Sequence, residues 1–490
     1  MRVTRALLLF LLLGAASNSG APPNAVIVND FGDAGPGNCS STCTLRDAMA
    51  VALASVPIKA VLFSAASGWP QTITLTQGQL AISNASADAF VISGPGTANL
   101  AISAANISRV FDVGSGSFFL SALTVRDGSV VGAPASSGDP ESGEAGDSAA
   151  TVTTGGCVRI GAGVTAEFDR IDLRYCAVTG GKGGNGGSGM TIFGPGGPGG
   201  SGGGGGQAAG GGIYTAGNLT LRHSSVTLSS STGGAGGAGG EGGGGFVQGN
   251  GGNGGSGGLG SGGAVYVAEN GLLLLQNSTL AAATATGGVG GAGGASSVSG
   301  GGHGGNGGDA FGVLLHAQGA IGTPGMAAVE FSTLASGLAM PGPGGPGGVP
   351  DGGGGTGGTV HGAAIWGGGS VTALSSVVLG GGAVFPLCAQ NVAAAPGSAN
   401  IDGDSTCAGF SLHKTFAEVL RAVNPAVAPW PAYMPVYHGS AIDAAAACTG
   451  IGGSEVFADD QHATPRPQRS ACDLGAIEAD YVFVDGFDGA

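Results

Sequence analysis

Between residues 154 and 379 the apolar positions come in short alternating runs divided by long glycine tracts. Gly211-Gly212-Ile213-Tyr214 leads into Asn218-Leu219-Thr220-Leu221, then His223-Ser224-Ser225-Val226-Thr227. Gly262-Gly263-Ala264-Val265-Tyr266-Val267 leads in the same way into 272–275 and Asn277-Ser278-Thr279-Leu280. Weaker copies begin at Gly155-Gly156-Cys157-Val158, Phe311-Gly312-Val313-Leu314 and Gly362-Ala363-Ala364-Ile365. Their starts are about 50 residues apart, a spacing at which self-similarity marks a repeat architecture. Runs of this length bury nothing alone, so neighbouring units must stack. Stacked in parallel at about 4.8 Å per rung, they enclose a bore of Val, Ile, Leu and Phe. The pattern predicts an all-β chain folded as a parallel β-helix.

Flanking segments read as ends of that solenoid. Strand-like runs fall at 26–29, 59–64, 72–76, 90–93, 100–103, 110–113 and 118–125, with Gly, Asn and Pro turns between them. Thr44 followed three residues on by Asp47 is a capping pattern, and 45–55 is rich in Ala, Leu and Met, which predicts a short helix. Such a helix would cover the open end of the sheet stack. The expected division is an N-terminal cap at 25–66, the solenoid at 67–385 and a C-terminal cap at 386–479, with a second short helix at 413–423. A tail follows at 480–490.

The glycine inserts, at about 180–212, 233–263, 287–308 and 341–358, largely keep a Gly-Gly-X period that a flexible linker has no reason to keep. A helix with three residues per turn does, because its glycine faces let chains approach closely. Each insert is interrupted near its middle, at 190–193, 246–248, 295–299 and 349–351, as an arm out, a turn and an arm back would be. Two arrangements fit: mobile loops, or a bundle of polyglycine-II-type helices along one side of the solenoid. The stretch 139–148 reads as an acidic Gly/Ser loop ahead of the repeats.

Composition narrows the class. Of 490 residues 108 are glycine and only 9% are charged, while 42% are hydrophobic. Collagen is excluded for want of a Gly-X-Y register, and simple disorder by the blocks of Val, Ile and Leu. A net charge of −15 argues against nucleic acid and anionic lipid as partners. Arg2 and Arg5 before the apolar stretch 6–13 form a signal peptide, with cleavage after Ala16 or Ala21. Beyond it no apolar run is long enough to span a bilayer. The expected protein is exported, with no transmembrane segment. Eight cysteines then suggest disulfides, and proximity favours Cys39 with Cys43, Cys157 with Cys176, Cys388 with Cys407 and Cys448 with Cys472.

Candidate chemistry is thin. Glu167, Asp169, Arg170, Asp172 and Arg174 are close together, and Glu167 and Asp169 would share a strand face, as paired acids of a glycosidase do. Interleaved acids and arginines also describe a solvated, self-neutralising surface. Gly304-Gly305-Asn306-Gly307-Gly308-Asp309-Ala310-Phe311-Gly312 matches one calcium-binding nonapeptide, with Asp309 as the ligand. Such sites need tandem copies, so no cofactor is expected unless Ca2+ binds there. His303 is expected in solvent, and Trp366 as a core or groove residue rather than a sugar platform.

Three stretches carry family resemblances. Cys43-Thr44-Leu45-Arg46-Asp47-Ala48-Met49 resembles the N-terminal segment of bacterial surface proteins named for a Cys-Ser-Leu-Arg-Glu-Ala motif, with Thr44 and Asp47 as conservative replacements. Gly439-Ser440-Ala441-Ile442-Asp443-Ala444, Asp460-Gln461, Pro465-Arg466-Pro467 and Cys472-Asp473-Leu474-Gly475-Ala476-Ile477-Glu478 are similar to the choice-of-anchor Q domain, although His462-Ala463 departs from the usual Arg-Gly. Phe483-Val484-Asp485-Gly486-Phe487-Asp488 looks like a terminal tag of exported proteins of Gram-negative bacteria. The resemblance implies a right-handed parallel β-helix that is secreted or at the cell surface. It implies no reaction. Three functions fit: a passive structural or adhesin-like role toward extracellular glycan or a cell surface; a polysaccharide lyase or hydrolase using Glu167, Asp169 and Asp172; or a glycan- or ice-binding surface formed by the glycine inserts.

Overall fold

The computed structural model describes residues 25–479 except 36, 55–59, 65–67, 298–299, 321, 381–384, 423–432 and 454. The signal peptide and the tail with its tag lie outside the described residues.

The chain is a parallel β-helix with three strand segments per turn. In the first segment Val158, Ile213, Val265, Leu315, Ile365 and Cys388 are successive Cα partners. In the second the column is Phe168, Leu221, Leu275, Val329 and Ala373. In the third it is Leu173, Val226, Leu280, Leu334 and Val378. All of these are buried and form one continuous core. Alternation along each strand sends every second side chain into the bore. A strand at Leu80–Ser83, not anticipated from the pattern, belongs to the earlier turns.

The corner between second and third segments explains the recurrent small hydroxyl residues. Arg170, His223, Asn277, Phe331 and Ser375 all take positive φ there, which turns the chain and takes the next N–H out of the ladder. Serines one residue on recover it. Ser224 N donates to Ser278 Oγ (3.1 Å), Ser278 N to Ser332 Oγ (3.2 Å) and Ser332 N to Ser376 Oγ (3.2 Å). Each hydroxyl donates in turn to the carbonyl two residues back, as Ser278 does to Gln276 at 2.7 Å.

The helix forms at Leu45–Ala54, burying Leu45, Ala48, Met49 and Ala52 against the first strands. Its cap is reciprocal: Thr44 Oγ1 donates to Asp47 (3.0 Å) and accepts from Asp47 N (3.3 Å). Arg46 pairs with Asp33 at 2.8 Å, and Asp33 accepts from the backbone of Thr76 and Gln77. All four expected disulfides are present. The second helix is only Phe416–Val419; the chain then becomes the strand Leu420–Ala422, paired antiparallel with Tyr433–Pro435. Residues 441–479 run along the outer flank of the third segment. There Ala441, Ala445, Phe457, Cys472 and Leu474 pack on outward-facing Phe331, Ala335, Val377 and Leu379.

The glycine inserts are an ordered bundle. Each is a hairpin with an outward and a return arm, and two hydrogen-bond ladders of period three hold neighbours together. Between outward arms Gly236 N donates to Val289 O and Gly239 N to Ala292 O, both 2.8 Å. Between opposite layers Gly237 N donates to Gly203 O and Gly240 N to Gly200 O, also 2.8 Å. A Cβ on Gly237 would lie 1.8 Å from Gly184 O, and one on Gly291 would lie 1.9 Å from Gly237 O. Two residues of each triplet are glycine because backbones occupy that space. The third faces outward, as Lys182, Val289, Asn253 and His303 do. Among the described residues the bundle has five hairpins, one more than the glycine tracts suggest. The acidic loop belongs to the first, because Gly132, Ala135 and Gly138 donate to Thr179, Lys182 and Asn185. With solvent on one side, this hairpin tolerates Ala133, Ala135 and Ser136 in place of glycine.

Gly291→Ala should loosen the bundle by about 1–3 kcal/mol, the usual range for overpacking, whereas Ala292→Ser should be neutral. Amide exchange should be slow at Gly237, Gly240, Gly255 and Gly291 in the native protein and fast throughout the bundle in Gly291→Ala.

Candidate functional site

The acidic patch is brought together, and each of its carboxylates is engaged. Glu167 and Asp169 stand on the outer face of the strand Thr165–Arg174, while Asp172 lies beyond the Arg170 corner. Arg222, one turn on, lies 3.5 Å from Glu167 and pairs closely with Glu455 of the C-terminal segment. His223 is held between two carboxylates, with Nδ1 2.8 Å from Asp169 and Nε2 3.3 Å from Asp459. Asp172 accepts from Ser225 at 2.7 Å, and Arg174 Nε stands 3.4 Å from its other oxygen. Farther along, Gln276 donates to Glu330 (2.7 Å) and Glu455 (3.0 Å), and Thr279 donates to Gln461 (2.6 Å). The patch is thus the polar part of the seam between coil and C-terminal segment.

Burial sets its proton affinities. It raises Glu167, with Arg222 opposing and Asp169 and Glu455 adding to the rise. It raises Asp172 against Arg174 and the Ser225 hydrogen bond. For His223 burial pulls downward, but the bonds and charges of Asp169 and Asp459 outweigh it, and the net shift is upward. Its partner Asp459 is correspondingly lowered, chiefly by the His223 bond.

Trp366 ends an aromatic column on the outside of the first segment, in register with Tyr214, Tyr266 and His316. Tyr214 stacks on Tyr266 (5.5 Å) and Tyr266 on His316 (4.5 Å), while Trp366 meets Phe311 edge-on at 5.2 Å. The faces of Tyr214, Tyr266 and His316 are thus engaged with one another within the protein. Burial lowers His316 to about 3, so it is a neutral member of this stack.

Asp309 binds Thr359 through its N (2.7 Å) and Oγ1 (2.9 Å), with His361 at 3.6 Å. Among the described residues no group of three or more His, Cys, Asp or Glu is arranged to hold a metal. His303 is exposed, and its Nδ1 accepts from Gly353 N at 3.2 Å.

The hairpin tips were legible in the sequence only as interruptions of a period. Phe193 is 96% exposed and Phe246 86%, with Met190, Ile192, Val247 and Val349 also exposed. These tips are fixed. Ile192 N donates to Gly244 O (3.1 Å), Phe246 N to Gly194 O (3.0 Å) and Gly196 N to Val247 O (2.7 Å), which ties the second and third turns into one ledge. Asp139, Glu141, Glu241 and Asp351 of the hairpins are exposed as well.

No protein-family model matches the chain, and no curated protein sequence matches it significantly. Among solved structures, the crystal structure of pectate lyase Pel9A is similar at 12% identity and a TM-score of 0.35, over 93% of this chain and 97% of that one. The fold rests on the strand register rather than on that likeness.

A proton bound at His223 strengthens the seam. Because its pKa is raised on folding, its contribution is complete below the unfolded value of about 6.5 and is lost as pH rises through the higher folded value. The Tm difference between native protein and His223→Gln should therefore be largest near pH 6 and shrink by pH 9. A difference that grows with pH would contradict the two-carboxylate clasp.

Proposed function

We propose that this protein is an exported extracellular or cell-surface β-helix with a passive, adhesin-like role, and that it engages its target with the hairpin tips. The observation that carries this is the pair Phe193 and Phe246, almost fully exposed on turns fixed by backbone bonds. Soluble proteins rarely leave such side chains clustered in water without an interaction to make, and aromatics supply much of the binding energy where interfaces form. The bundle beneath acts as a stiff support, so little entropy is lost when the tips are gripped. Export is supported by the signal-peptide reading, by four disulfides, which persist in oxidising compartments, and by the resemblance to choice-of-anchor Q and Cys-Ser-Leu-Arg-Glu-Ala proteins. No helix among the described residues is long and apolar enough to cross a membrane.

The catalytic reading comes second. In its favour, Glu167 is raised by burial beside Asp169, as a general acid would be. Against it, Glu167, Asp169 and Asp172 are each held by arginine, histidine or serine.

The double variant Phe193→Ser/Phe246→Ser should keep the native Tm, since exposed substitutions change stability by only about 0.5 kcal/mol. It should lose at least ten-fold in binding to cell surfaces and glycan-coated beads. Undiminished binding would refute the tip reading. Cleavage of an acidic polysaccharide that disappears in Asp169→Ala would replace it with the enzymatic one.

A further inference from the structure

The two edges of the glycine bundle differ, and one is an unfilled copy of its own internal site. Inside the bundle each outward arm lies in a slot made by both arms of the hairpin before it. The arm 342–348 shows what the slot offers. Gly290 and Gly293 of the preceding outward arm donate to the carbonyls of Pro343 and Pro346, each at 2.9 Å. Gly342, Gly345 and Gly348 in turn donate to Gly308, Gly305 and Gly302 of the preceding return arm, each at 2.8 Å.

The same slot recurs on the last hairpin. Gly344 and Gly347 stand where Gly290 and Gly293 stood, and Gly352, Gly355 and Gly358 where Gly302, Gly305 and Gly308 stood. Neither those two N–H groups nor those three carbonyls has a partner among the described residues. Among the described residues no further hairpin follows the arm 352–358. Donors and acceptors therefore alternate in the open slot with a period of three residues, about 9 Å at 3.1 Å per residue.

We propose that this slot binds an extended, glycine-rich strand of another protein, in the three-residue-per-turn conformation and parallel to the arm 342–348. It is the counterpart, for a polyglycine bundle, of adding a strand to an open sheet edge. The ligand chemistry follows from the internal copies. One residue in three must be glycine, because a Cβ on Gly342 or Gly345 lies 1.9 Å from a carbonyl of the arm before it. The outward position takes proline, as Pro343 and Pro346 show, and proline holds the extended form in advance of binding. A second copy of this chain is a poor occupant. The coil continues past the last hairpin through Cys388–Ala394 and Leu412–His413, where a coaxial solenoid would have to sit. The opposite edge carries Ala133 and Ser136, with Asp139 and Glu144 nearby. This inference does not depend on the tip residues.

The test is a titration of the intact protein with a synthetic Gly-Pro-Gly-Gly-Pro-Gly-Gly peptide, followed by the amide signals of Gly344 and Gly347. The control peptide has alanine at its first, fourth and seventh residues. The matching variant is Gly354→Val/Gly357→Val. A Cβ at these positions meets only Gly345 O at 3.6 Å and Gly342 O at 3.7 Å, so the bundle accepts it, but the side chains stand where the strand would lie. Saturable shifts of both amides are expected, with affinity at least ten-fold weaker for the alanine peptide and for the variant. Equal binding by the alanine peptide, or no saturable shift with the glycine peptide, would overturn the proposal. So would self-association of the protein alone that broadens the same two amides, since it would give the slot to a second copy.

Discussion

Close approach of bare backbone to bare backbone is the constraint on which the glycine bundle depends. A sheet can keep side chains on both faces, because its strands touch only through their edges. In the bundle, arms meet on several sides, and a single methyl group at Gly237 or Gly291 would fall within 2 Å of a neighbouring carbonyl. That accounts for the glycine content more fully than flexibility does. The same constraint gives the bundle its rigidity, since each arm is bonded to neighbours within its layer and across layers.

The coil makes that bundle buildable. Its parallel register repeats at each turn, so every hairpin leaves the wall one rung beyond the last and meets its neighbour in matching phase. The left-handed glycines Gly155, Gly210, Gly262, Gly312 and Gly362 return each arm to the first strand segment at the same place. Along the opposite flank, the C-terminal segment closes over Phe331, Val377 and the charged seam. The molecule thus has one flank committed to holding itself together and another that presents the hairpin tips.

Much of the fold was legible because bore residues repeat as types: Val158, Ile213, Val265, Leu315 and Ile365 announce themselves by periodicity. The serine corner was visible where the repeats place Ser224 and Ser278, though not the hydrogen bonds that require it. The first hairpin escaped notice because an edge arm is released from the glycine rule, and Ala133 and Ser136 hide the period. The candidate acids were legible as a cluster, but their engagement was not. Glu455, Asp459 and Gln461 lie more than 200 residues away in sequence from Arg222, His223 and Ser224, and only the folded chain brings them together. The tips looked like mere interruptions because exposure is not a property of sequence.

By itself the sequence determined the repeat, the parallel coil, the capping helix and the pairing of neighbouring cysteines. Each depends on local spacing, which side-chain alternation, capping geometry and chain proximity translate directly into structure. Tertiary structure decided which glycines touch which carbonyls, that Phe193 and Phe246 stand free in water, and that the acids face partners from the far end of the chain. Those outcomes depend on how separate turns are placed against each other, and that placement exists only once the coil has closed.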